Sequence, residues 1–363
     1  MVRIFIALLL VGSALEAGGQ DLAGTPTRRE TEYKKAFILN ESSSVDEFKS
    51  TLLRLIQSGI RHSKFNLPKV LGDQYHAPVR FTDFVFRDIY LDSPDRSLLE
   101  FSSSYRLRYR WNETLRFIWH RLNLPFTYGQ PNRCEIQFKG GYRFHLDRGM
   151  VTVDETRFEF RKESNPFSDG EAVPSRPWEI KPFLDYATSG RFRNYEIMPF
   201  NALKRKFAEH HQDLSRIVPV LDVVTRRDRL HLRVANPFGA DPNPDQVMII
   251  TLDQSRRYSQ TLSDSRELGG MRLFEVEVEP ERNITTNLDE LLEYENMRVP
   301  FGVEVINEAI SFGKAVREAL FLDVEILRGM VEEAADQSLS GQILPLDYKY
   351  SRFMKLGKSE AFP

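Results

Sequence analysis

The stretch Phe274-Glu275-Val276-Glu277-Val278-Glu279 alternates apolar and acidic residues one by one. A period of two is the repeat of a β-strand, and β-branched valines suit a pleated strand. Because a strand rises about 3.3 Å per residue, the three glutamates project from one face roughly 7 Å apart. Such carboxylates repel one another unless cations lie among them, and oxygen ligands suit Mg²⁺, Mn²⁺ or Ca²⁺. The stretch therefore predicts either a metal-holding face or the solvated outer face of an antiparallel strand.

Other segments repeat this alternation with complementary charge. Glu30-Thr31-Glu32-Tyr33-Lys34 carries two acids and a base, and residues 104–111 place Arg106, Arg108 and Arg110 on one face and an aromatic-rich row on the other. Residues 133–139 and 155–161 alternate likewise. Strands with one charged face and one apolar face can close into a barrel with a polar lumen. Such a lumen would gather basic residues opposite glutamates and would suit a polyanion bridged to metal ions.

The rest of the chain supplies further strands and covering helices. Ser44-Val45-Asp46-Glu47 has capping-box spacing and predicts a helix that ends near Gly59. Helical patterns also occur at 200–214 and 303–337, and residues 59–80 and 162–199 read as insertions. The predicted strands are 84–91, 104–111, 133–139, 142–146, 151–161, 218–227, 229–235, 246–253 and 272–279, with Gly140-Gly141 as a tight turn. An outer-membrane barrel is the alternative, but long amphipathic helices have no place on a lipid-facing wall.

Composition and the N-terminal segment set the remaining limits. The 363 residues include 50 Lys and Arg against 52 Asp and Glu, so no global charge favours a nucleic-acid partner. Residues 1–19 combine Arg3, an apolar run and Ala17-Gly18-Gly19, which predicts a signal peptide followed by a linker over 20–29. We therefore expect an exported protein, periplasmic or secreted, with no stable membrane span after cleavage. Cys134 is the one cysteine, so no intrachain disulfide forms.

Taken in chain order, these motifs resemble the triphosphate tunnel metalloenzymes of the CYTH superfamily. Glu30, Glu32 and Lys34 match the family's Glu-x-Glu-x-Lys strand, and Glu275, Glu277 and Glu279 match its late Glu-x-Glu-x-Glu strand. Further matches are the Tyr-Phe-Asp-Thr-Pro-Asp region at 89–95, the Leu-Arg-x-Arg strand at Arg106-Leu107-Arg108, the lysine strand at Phe138-Lys139-Gly140, the basic strand at Arg226-Arg227 and the aspartate at Leu252-Asp253. Residues 348–353 resemble the Ser-Lys-Tyr segment of the polyphosphate polymerase branch.

The sequence departs from the family pattern in three places. The glycine that usually precedes the Leu-Arg-x-Arg strand is absent, and the insertions at 59–80 and 162–199 are long. The Lys-x-Arg pair of the second half appears as Arg226-Arg227, which leaves open which of the two points inward. These departures bear on the substrate more than on the fold.

The resemblance implies an α+β fold, an eight-stranded antiparallel β-barrel with a polar lumen that is covered outside by helices. Residues 30–300 would form the tunnel domain, and 301–363 a C-terminal helical segment packing on the barrel. The tunnel would bind a triphosphate and one or two divalent cations, Mg²⁺ or Mn²⁺. The implied site comprises metal ligands Glu30, Glu32, Glu275, Glu277 and Glu279, substrate-binding residues Lys34, Arg106, Arg108, Arg110, Lys139, Arg226 and Arg227, and catalytic residues Glu277 and Lys34.

Three functions remain open from the sequence. The leading one is metal-dependent hydrolysis of inorganic triphosphate or polyphosphate, because an exported enzyme would meet little nucleotide. The second is nucleotide chemistry of the same family, as an adenylate cyclase or a polyphosphate polymerase. The third is a non-enzymatic protein that binds a polyanion or a metal. Glu-x-Glu motifs at both ends of the predicted barrel favour catalysis, since phosphoryl transfer mainly needs positioning and charge neutralisation.

Overall fold

The computed structural model describes residues 28–40, 42–72, 74–76, 81–110, 133–161, 198–234, 245–257, 272–280 and 303–359. The predicted signal peptide over residues 1–19 lies outside the described residues, as does nearly all of the 162–199 insertion. The first strand begins at Arg28, two residues before its predicted start at Glu30.

Eight strands close into one antiparallel barrel. Its wall runs in the order β1-β6-β5-β4-β3-β7-β8-β9, and pairing of β9 with β1 closes the ring. The wall strands are β1 (Arg28–Leu39), β3 (Thr82–Asp92), β4 (Ser104–Arg110), β5 (Arg133–His145), β6 (Met150–Arg161), β7 (Val218–Val234), β8 (Asp245–Arg257) and β9 (Arg272–Pro280). Short strands β2 (Tyr75–His76) and β10 (Gly341–Leu344) pair with β7 and β1. The predicted eight-stranded antiparallel barrel is therefore confirmed.

Two predicted strand breaks are wrong. Gly140-Gly141 does not form a turn, because β5 continues to His145 with a register shift between Gly140 and Arg143. Gly141 has φ 68°, a left-handed conformation that glycine adopts without strain, so the strand bends without reversing. The predicted break between 227 and 229 is also absent, since β7 is one strand of 17 residues.

The helices α1 (Val45–Arg61), α2 (Leu67–Leu71), α3 (Ser97–Glu100), α4 (Met198–Glu209), α5 (Val303–Ser338) and α6 (Lys349–Ser359) complete the chain. The Ser44 side chain accepts a hydrogen bond from the Glu47 backbone amide, which confirms the predicted cap of α1. The helix ends two residues beyond the predicted Gly59, and the 59–80 insertion contains α2 and β2.

Helices cover the apolar outer faces of the strands. Phe48 of α1 and Leu327 of α5 pack in one buried cluster with Phe274 of β9. Helix α4 buries Leu203 and Phe207 in a second cluster that contains outward-facing residues of β4 and β5. The predicted helical cover is confirmed. None of the described helices is both long and apolar enough to cross a membrane.

The C-terminal segment splits into two parts. Helix α5 lies on the outside of the barrel, whereas α6 packs in a third cluster with Ala36, Tyr90, Leu221 and Leu273. These four residues share the strand faces of the lumen residues Lys34, Asp88, Arg227 and Glu275, because side chains alternate along each strand. Helix α6 therefore lies within one end of the barrel, not on its outer surface.

Candidate functional site

The barrel lumen contains one charged cavity, built by the inward faces of its strands. Nine basic and four acidic side chains line it, together with four tyrosines, Ser104 and Gln137. The basic residues are Lys34, Arg106, Arg108, Arg110, Lys139, Arg157, Arg227, Arg229 and Lys349, and the acidic residues are Glu32, Glu155, Glu277 and Glu279. The alternating charged rows of the sequence thus converge on one site, as their period of two predicts.

Lys34 joins two carboxylates on neighbouring strands. Its Nζ lies 2.8 Å from Glu32 Oε1 and 2.9 Å from Glu277 Oε1, and all three side chains are buried. Burial opposes the charged form of Lys34, but Glu277 and Glu32 outweigh it and raise the pKa of this ammonium. Burial likewise opposes ionisation of Glu277, yet Lys34 and Arg227 hold its pKa well below the ordinary value. Lys34 therefore stays protonated and Glu277 stays ionised at neutral pH.

Glu30 and Glu275 are engaged by basic residues and do not line the cavity. Lys139 donates a hydrogen bond to Glu30, and its Nζ lies 4.0 Å from Glu155 Oε1. Arg352 donates a hydrogen bond to Glu275, and Lys349 Nζ lies 2.9 Å from Glu275 Oε2. Two cations from α6 thus neutralise this fully buried carboxylate, and the metal-binding role of Glu275 stays a prediction.

Asp88 organises two of the predicted substrate-binding arginines. Arg108 donates from Nε and Nη2 to the two Asp88 oxygens at 2.7 and 2.8 Å, and Arg106 Nη1 lies 3.0 Å from Asp88 Oδ2. Arg106 also donates to Gln137 Oε1 at 2.6 Å. Burial opposes ionisation of Asp88, but Arg106 and Arg108 lower its pKa well below the usual range. Sequence reasoning missed Asp88, although it alternates in phase with Phe86 and Tyr90 on an inward strand face.

Arg110 and Arg157 share the carboxylate of Glu135. Arg110 Nη2 donates to Glu135 Oε2 at 2.7 Å, and Arg157 Nη1 lies 3.8 Å from Glu135 Oε1. Burial opposes ionisation of Glu135, whereas Arg110, Arg108 and Arg157 lower its pKa. Glu135 and Arg157 were not among the predicted site residues, although both lie in the alternating segments that the sequence singles out.

Of the two β7 arginines named from the sequence, Arg227 points inward, and Arg229 is a further inward-pointing arginine of this strand. Arg227 and Arg229 line the cavity. Arg226 lies on the outer face of β7, because neighbouring side chains of a strand point to opposite faces. Arg227 donates from Nε and Nη2 to Asp253 at 2.6 Å each. The missed signal is Arg227-Asp228-Arg229, an Arg-x-Arg repeat with the same period as Arg106 and Arg108.

Arg229 is the least neutralised of these arginines. Among the described residues it forms no ion pair within 4 Å, and its buried Nε has no hydrogen-bond partner. Burial lowers the pKa of Arg229 to about 10, repulsion from Arg227 adds to the fall, and Glu279 opposes it. Its guanidinium lies 5.1 Å from the centre of the Phe84 ring, which Arg110 also approaches at 5.7 Å. Among the described residues, Glu279 thus offsets the charge of Arg229 without forming an ion pair with it, so Arg229 can bind an anion at this end of the cavity.

Helix α6 contributes residues to the opposite end of the cavity. Lys349 Nζ lies 2.6 Å from Asp253 Oδ2, and Tyr348 and Tyr350 line the cavity beside it. Tyr142 stacks on Tyr348 with ring centres 4.3 Å apart, and burial raises the pKa of Tyr142 to about 12. The sequence carried a signal for Lys349 in the Ser-Lys-Tyr resemblance, but no site role followed from it.

The carboxylates that line the cavity suit a divalent cation in chemical type. Among the described residues, no three His, Cys, Asp or Glu side chains already surround a metal position. Glu32, Glu277 and Glu279 nevertheless offer hard oxygen donors to the cavity. Burial raises the pKa of Glu32, whereas Lys34 opposes the rise and Glu277 adds to it. These three glutamates would hold Mg²⁺ or Mn²⁺ once Lys34 releases Glu32.

Comparisons with known proteins find similar solved structures at low sequence identity. No family model matches the chain, and a search of curated proteins finds no match either. A Hippeastrum protein described as an adenylyl cyclase with a dominant triphosphatase activity is 14% identical, with 74% of this chain and 88% of that one covered and a TM-score of 0.33. A Pyrococcus horikoshii protein is 13% identical, with coverages of 90% and 99% and a TM-score of 0.33.

The S. pombe Pct1 RNA triphosphatase, solved with the Spt5 C-terminal domain, is 11% identical. The match covers 87% of this chain and 93% of that one, with a TM-score of 0.31.

Proposed function

We propose that the barrel binds a linear triphosphate or polyphosphate in its lumen and hydrolyses it with Mg²⁺ or Mn²⁺. The observation that carries this proposal is that nine basic side chains converge on one buried cavity, among them Arg229, which forms no ion pair within 4 Å among the described residues. Arginine offers planar forks to phosphate oxygens, and lysine offers a compact charge. Such a lumen neutralises the charge that accumulates on phosphoryl oxygens during transfer.

Each group of residues would have its own part in hydrolysis. Arg229, Arg110 and Lys139 would bind phosphate oxygens, and protonated Lys34 would donate to the phosphoryl group under attack. A bound Mg²⁺ or Mn²⁺ would supply Lewis-acid polarisation and a more acidic water molecule. With tripolyphosphate, the water oxygen bonds to one phosphorus while a bridging P–O bond breaks. The electron pair of that P–O bond leaves with the departing phosphate, and the products are orthophosphate and pyrophosphate.

The inorganic substrate follows from a second proposal, that the protein is exported through the signal peptide at residues 1–19. Outside the cytoplasm a triphosphatase meets inorganic phosphate chains more often than nucleotides. N-terminal sequencing of the mature protein tests this proposal directly, and we expect the mature chain to begin near Gln20. An intact Met1 in exported protein would contradict it.

The test of the function is phosphate release from tripolyphosphate, pyrophosphate, long polyphosphate and ATP, each with Mg²⁺, Mn²⁺ or a chelator. We expect tripolyphosphate or polyphosphate to be the best substrate and the chelator to abolish turnover. No release from any of the four with either metal would contradict hydrolysis. Full activity in chelator would contradict the metal requirement alone.

A non-enzymatic polyanion-binding role is the second candidate, because the described residues contain no pre-arranged group of metal ligands. A ligand that binds only the folded protein raises its unfolding temperature. The binding role therefore predicts a higher midpoint with tripolyphosphate but no phosphate release. ATP-dependent chain growth, as in a polyphosphate polymerase, would appear instead as polyphosphate made from ATP.

A further inference from the structure

Two phenylalanine rings of β3 lie between arginines of the two neighbouring wall strands, β4 and β7. They belong to Phe84 and Phe86, which alternate in phase with the inward-facing Asp88. The guanidinium carbons of Arg108 and Arg227 lie 3.9 and 5.2 Å from the centre of the Phe86 ring. A cation within about 6 Å of a ring centre is attracted by the negative face of the ring. The Phe86 ring therefore attracts one arginine from each side.

Phe84 is placed in the same way, two residues nearer the end of the cavity that Arg229 lines. The guanidinium carbons of Arg229 and Arg110 lie 5.1 and 5.7 Å from the centre of its ring. Both arginines line the cavity, whereas Phe84 is not among the lining residues. The ring therefore lies behind the two guanidinium groups, where it can act on an anion in the lumen only through them.

The two levels differ in what else holds their arginines. Arg108 and Arg227 each make a two-point contact with a buried aspartate, which fixes the guanidinium without help from a ring. Arg229 forms no ion pair within 4 Å among the described residues. The face of the Phe84 ring thus supplies to Arg229 an attraction that a carboxylate supplies to the other two.

We infer that Phe84 is a positioning residue for anion binding, which holds the Arg229 guanidinium at the cavity before an anion arrives. An arginine that rotates freely loses rotamer entropy when a ligand fixes it, whereas a preorganised arginine has already lost it. A ring behind the guanidinium also leaves the N–H groups on its far side available to phosphate oxygens. The inference rests on the proposed function, because it takes the anion to be a phosphate chain.

The test compares Phe84→Leu, which keeps an apolar side chain but removes the ring, with Phe84→Tyr, which keeps the ring. Titration calorimetry with tripolyphosphate in chelator measures the affinity of each variant. We expect Phe84→Leu to bind about fivefold more weakly than the wild type and Phe84→Tyr to bind within about twofold of it. Equal affinities in the two variants, whether both strong or both weak, would overturn the positioning role.

A shape-matched replacement guards against a packing effect of leucine. Pentafluorophenylalanine at position 84 keeps the outline of the ring, but its fluorines withdraw the negative charge from the ring face. We expect its affinity for tripolyphosphate to fall to that of Phe84→Leu. Wild-type affinity with the fluorinated ring would show that the shape of the side chain suffices, and would overturn the attraction between ring and guanidinium.

Two further variants decide whether the effect passes through Arg229. Phe81→Leu removes a ring that lies 6.0 Å from Lys49 Nζ in the outer cluster, so its affinity should stay within about twofold of wild type. In an Arg229→Gln background, Phe84→Leu should weaken binding by less than about twofold, because the arginine that the ring positions is gone. A fivefold loss in that background as well would contradict the inference.

Failure of the inference and failure of the proposed function give different results. If tripolyphosphate binds but no phosphate is released, hydrolysis is wrong and the affinities still decide the role of Phe84. If the wild type binds no tripolyphosphate, phosphate binding itself is wrong, and the order parameter of the Arg229 Nε–H bond by NMR decides instead. We expect that order parameter to fall in Phe84→Leu and to be kept in Phe84→Tyr. An unchanged value in Phe84→Leu would overturn the positioning role.

Discussion

Lys34 lies directly opposite Glu277 in the pairing of β1 with β9, and its Nζ is 2.9 Å from Glu277 Oε1. The same ammonium serves Glu32 at 2.8 Å, so one positive charge is shared by two buried carboxylates. Arg227, whose Nη2 is 3.4 Å from Glu277 Oε2, tips the balance toward Glu277. The pKa of Glu277 is consequently lowered and that of Glu32 is raised. Two glutamates on neighbouring strands thus differ in what they contribute to stability.

Glutamine substitutions should reveal this difference. Because the folded-state pKa of Glu277 is lowered, ionised Glu277 stabilises the fold at pH values above its ordinary pKa of 4.5. This stabilisation is lost as pH falls through the lowered pKa. A raised pKa means that stability falls as pH rises from 4.5 through the folded pKa of Glu32. At pH 7 in chelator we expect Glu277→Gln to lose about 3 kcal/mol of unfolding free energy and Glu32→Gln to gain about 1 kcal/mol.

Urea unfolding of both variants and the wild type at pH 5, 6 and 7 measures these effects. Both substitutions are isosteric and lie on the same lumen wall, so each is the matched control for the other. Equal losses of stability in the two variants would show that Lys34 does not distinguish its two partners. Loss of phosphate release is expected in both, since both glutamates would hold the metal.

Removal of Arg229 should weaken anion binding without destabilising the fold. Its charge is buried near Arg227 and is not paired within 4 Å among the described residues, so Arg229→Gln relieves repulsion in the empty lumen. We expect tripolyphosphate to bind at least tenfold more weakly, about 1.4 kcal/mol, with no fall in the unfolding temperature. Arg226→Gln on the outer face of the same strand is the control and should bind within twofold of wild type. Titration calorimetry that finds equal affinities for the two variants would remove Arg229 from the site.

Period-two alternation predicted the barrel and most of its lumen because it fixes which side chains share a face. It placed Glu32, Lys34 and Arg108 on inward faces correctly. Arg229 follows the same alternation two residues after Arg227, but it was missed because Arg226-Arg227 was matched to the Lys-x-Arg pair. Gly140-Gly141 was misread because a bulge and a turn use the same residue and the same positive φ. Only the pairing partner across the strand distinguishes the two.

The ion pairs could not be read from the sequence. Asp88 and Arg108 are 20 residues apart and meet because β3 pairs with β4, whereas Lys349 and Asp253 are 96 residues apart and meet because α6 enters the barrel. The crowded glutamates predicted a metal ion as the source of positive charge. In the structure, Lys349 and Arg352 of α6 supply part of that charge. The alternation of residues along the strands does not predict where this helix lies.

Lys349 should matter to stability, and Lys355 six residues further on the same helix should not. Lys349 is buried against Asp253 and Glu275, and burial opposes its charge while Asp253 and Glu275 raise its pKa. In Lys349→Gln, Arg227 and Arg352 still neutralise these acids in part, so we expect a loss of about 2 kcal/mol in urea unfolding. Lys355→Gln removes an exposed pair with Asp347 and should change stability by less than about 0.5 kcal/mol. Equal effects would mean that α6 is not anchored through Lys349.

Arg108→Ala should unfold more easily than the wild type, contrary to what a simple surplus of lumen charge predicts. The substrate-binding role that the family resemblance implies for Arg108 predicts weaker substrate binding with an intact fold. The structure places Arg108, 3% exposed, in a two-point contact with Asp88, which is 0% exposed. Removal of one partner leaves a buried carboxylate with Arg106 alone, at a cost of about 3 kcal/mol at pH 7.

The double variant Asp88→Asn/Arg108→Gln separates the ion pair from the arginine itself. Because it removes both charges, we expect it to be more stable than Arg108→Ala in urea unfolding at pH 7. The pKa of Asp88 is lowered, so its contribution exists above the ordinary value of 3.8 and disappears as pH falls through the lowered pKa. The gap between wild type and Arg108→Ala should therefore persist at pH 4 and narrow only below it, as pH falls toward the lowered pKa of Asp88. Arg108→Ala with wild-type stability at pH 7 would mean that Arg106 alone neutralises Asp88. A loss of turnover in that stable variant would then show that Arg108 binds phosphate. If the variant is destabilised instead, the altered structure of the lumen can itself cause the loss of turnover.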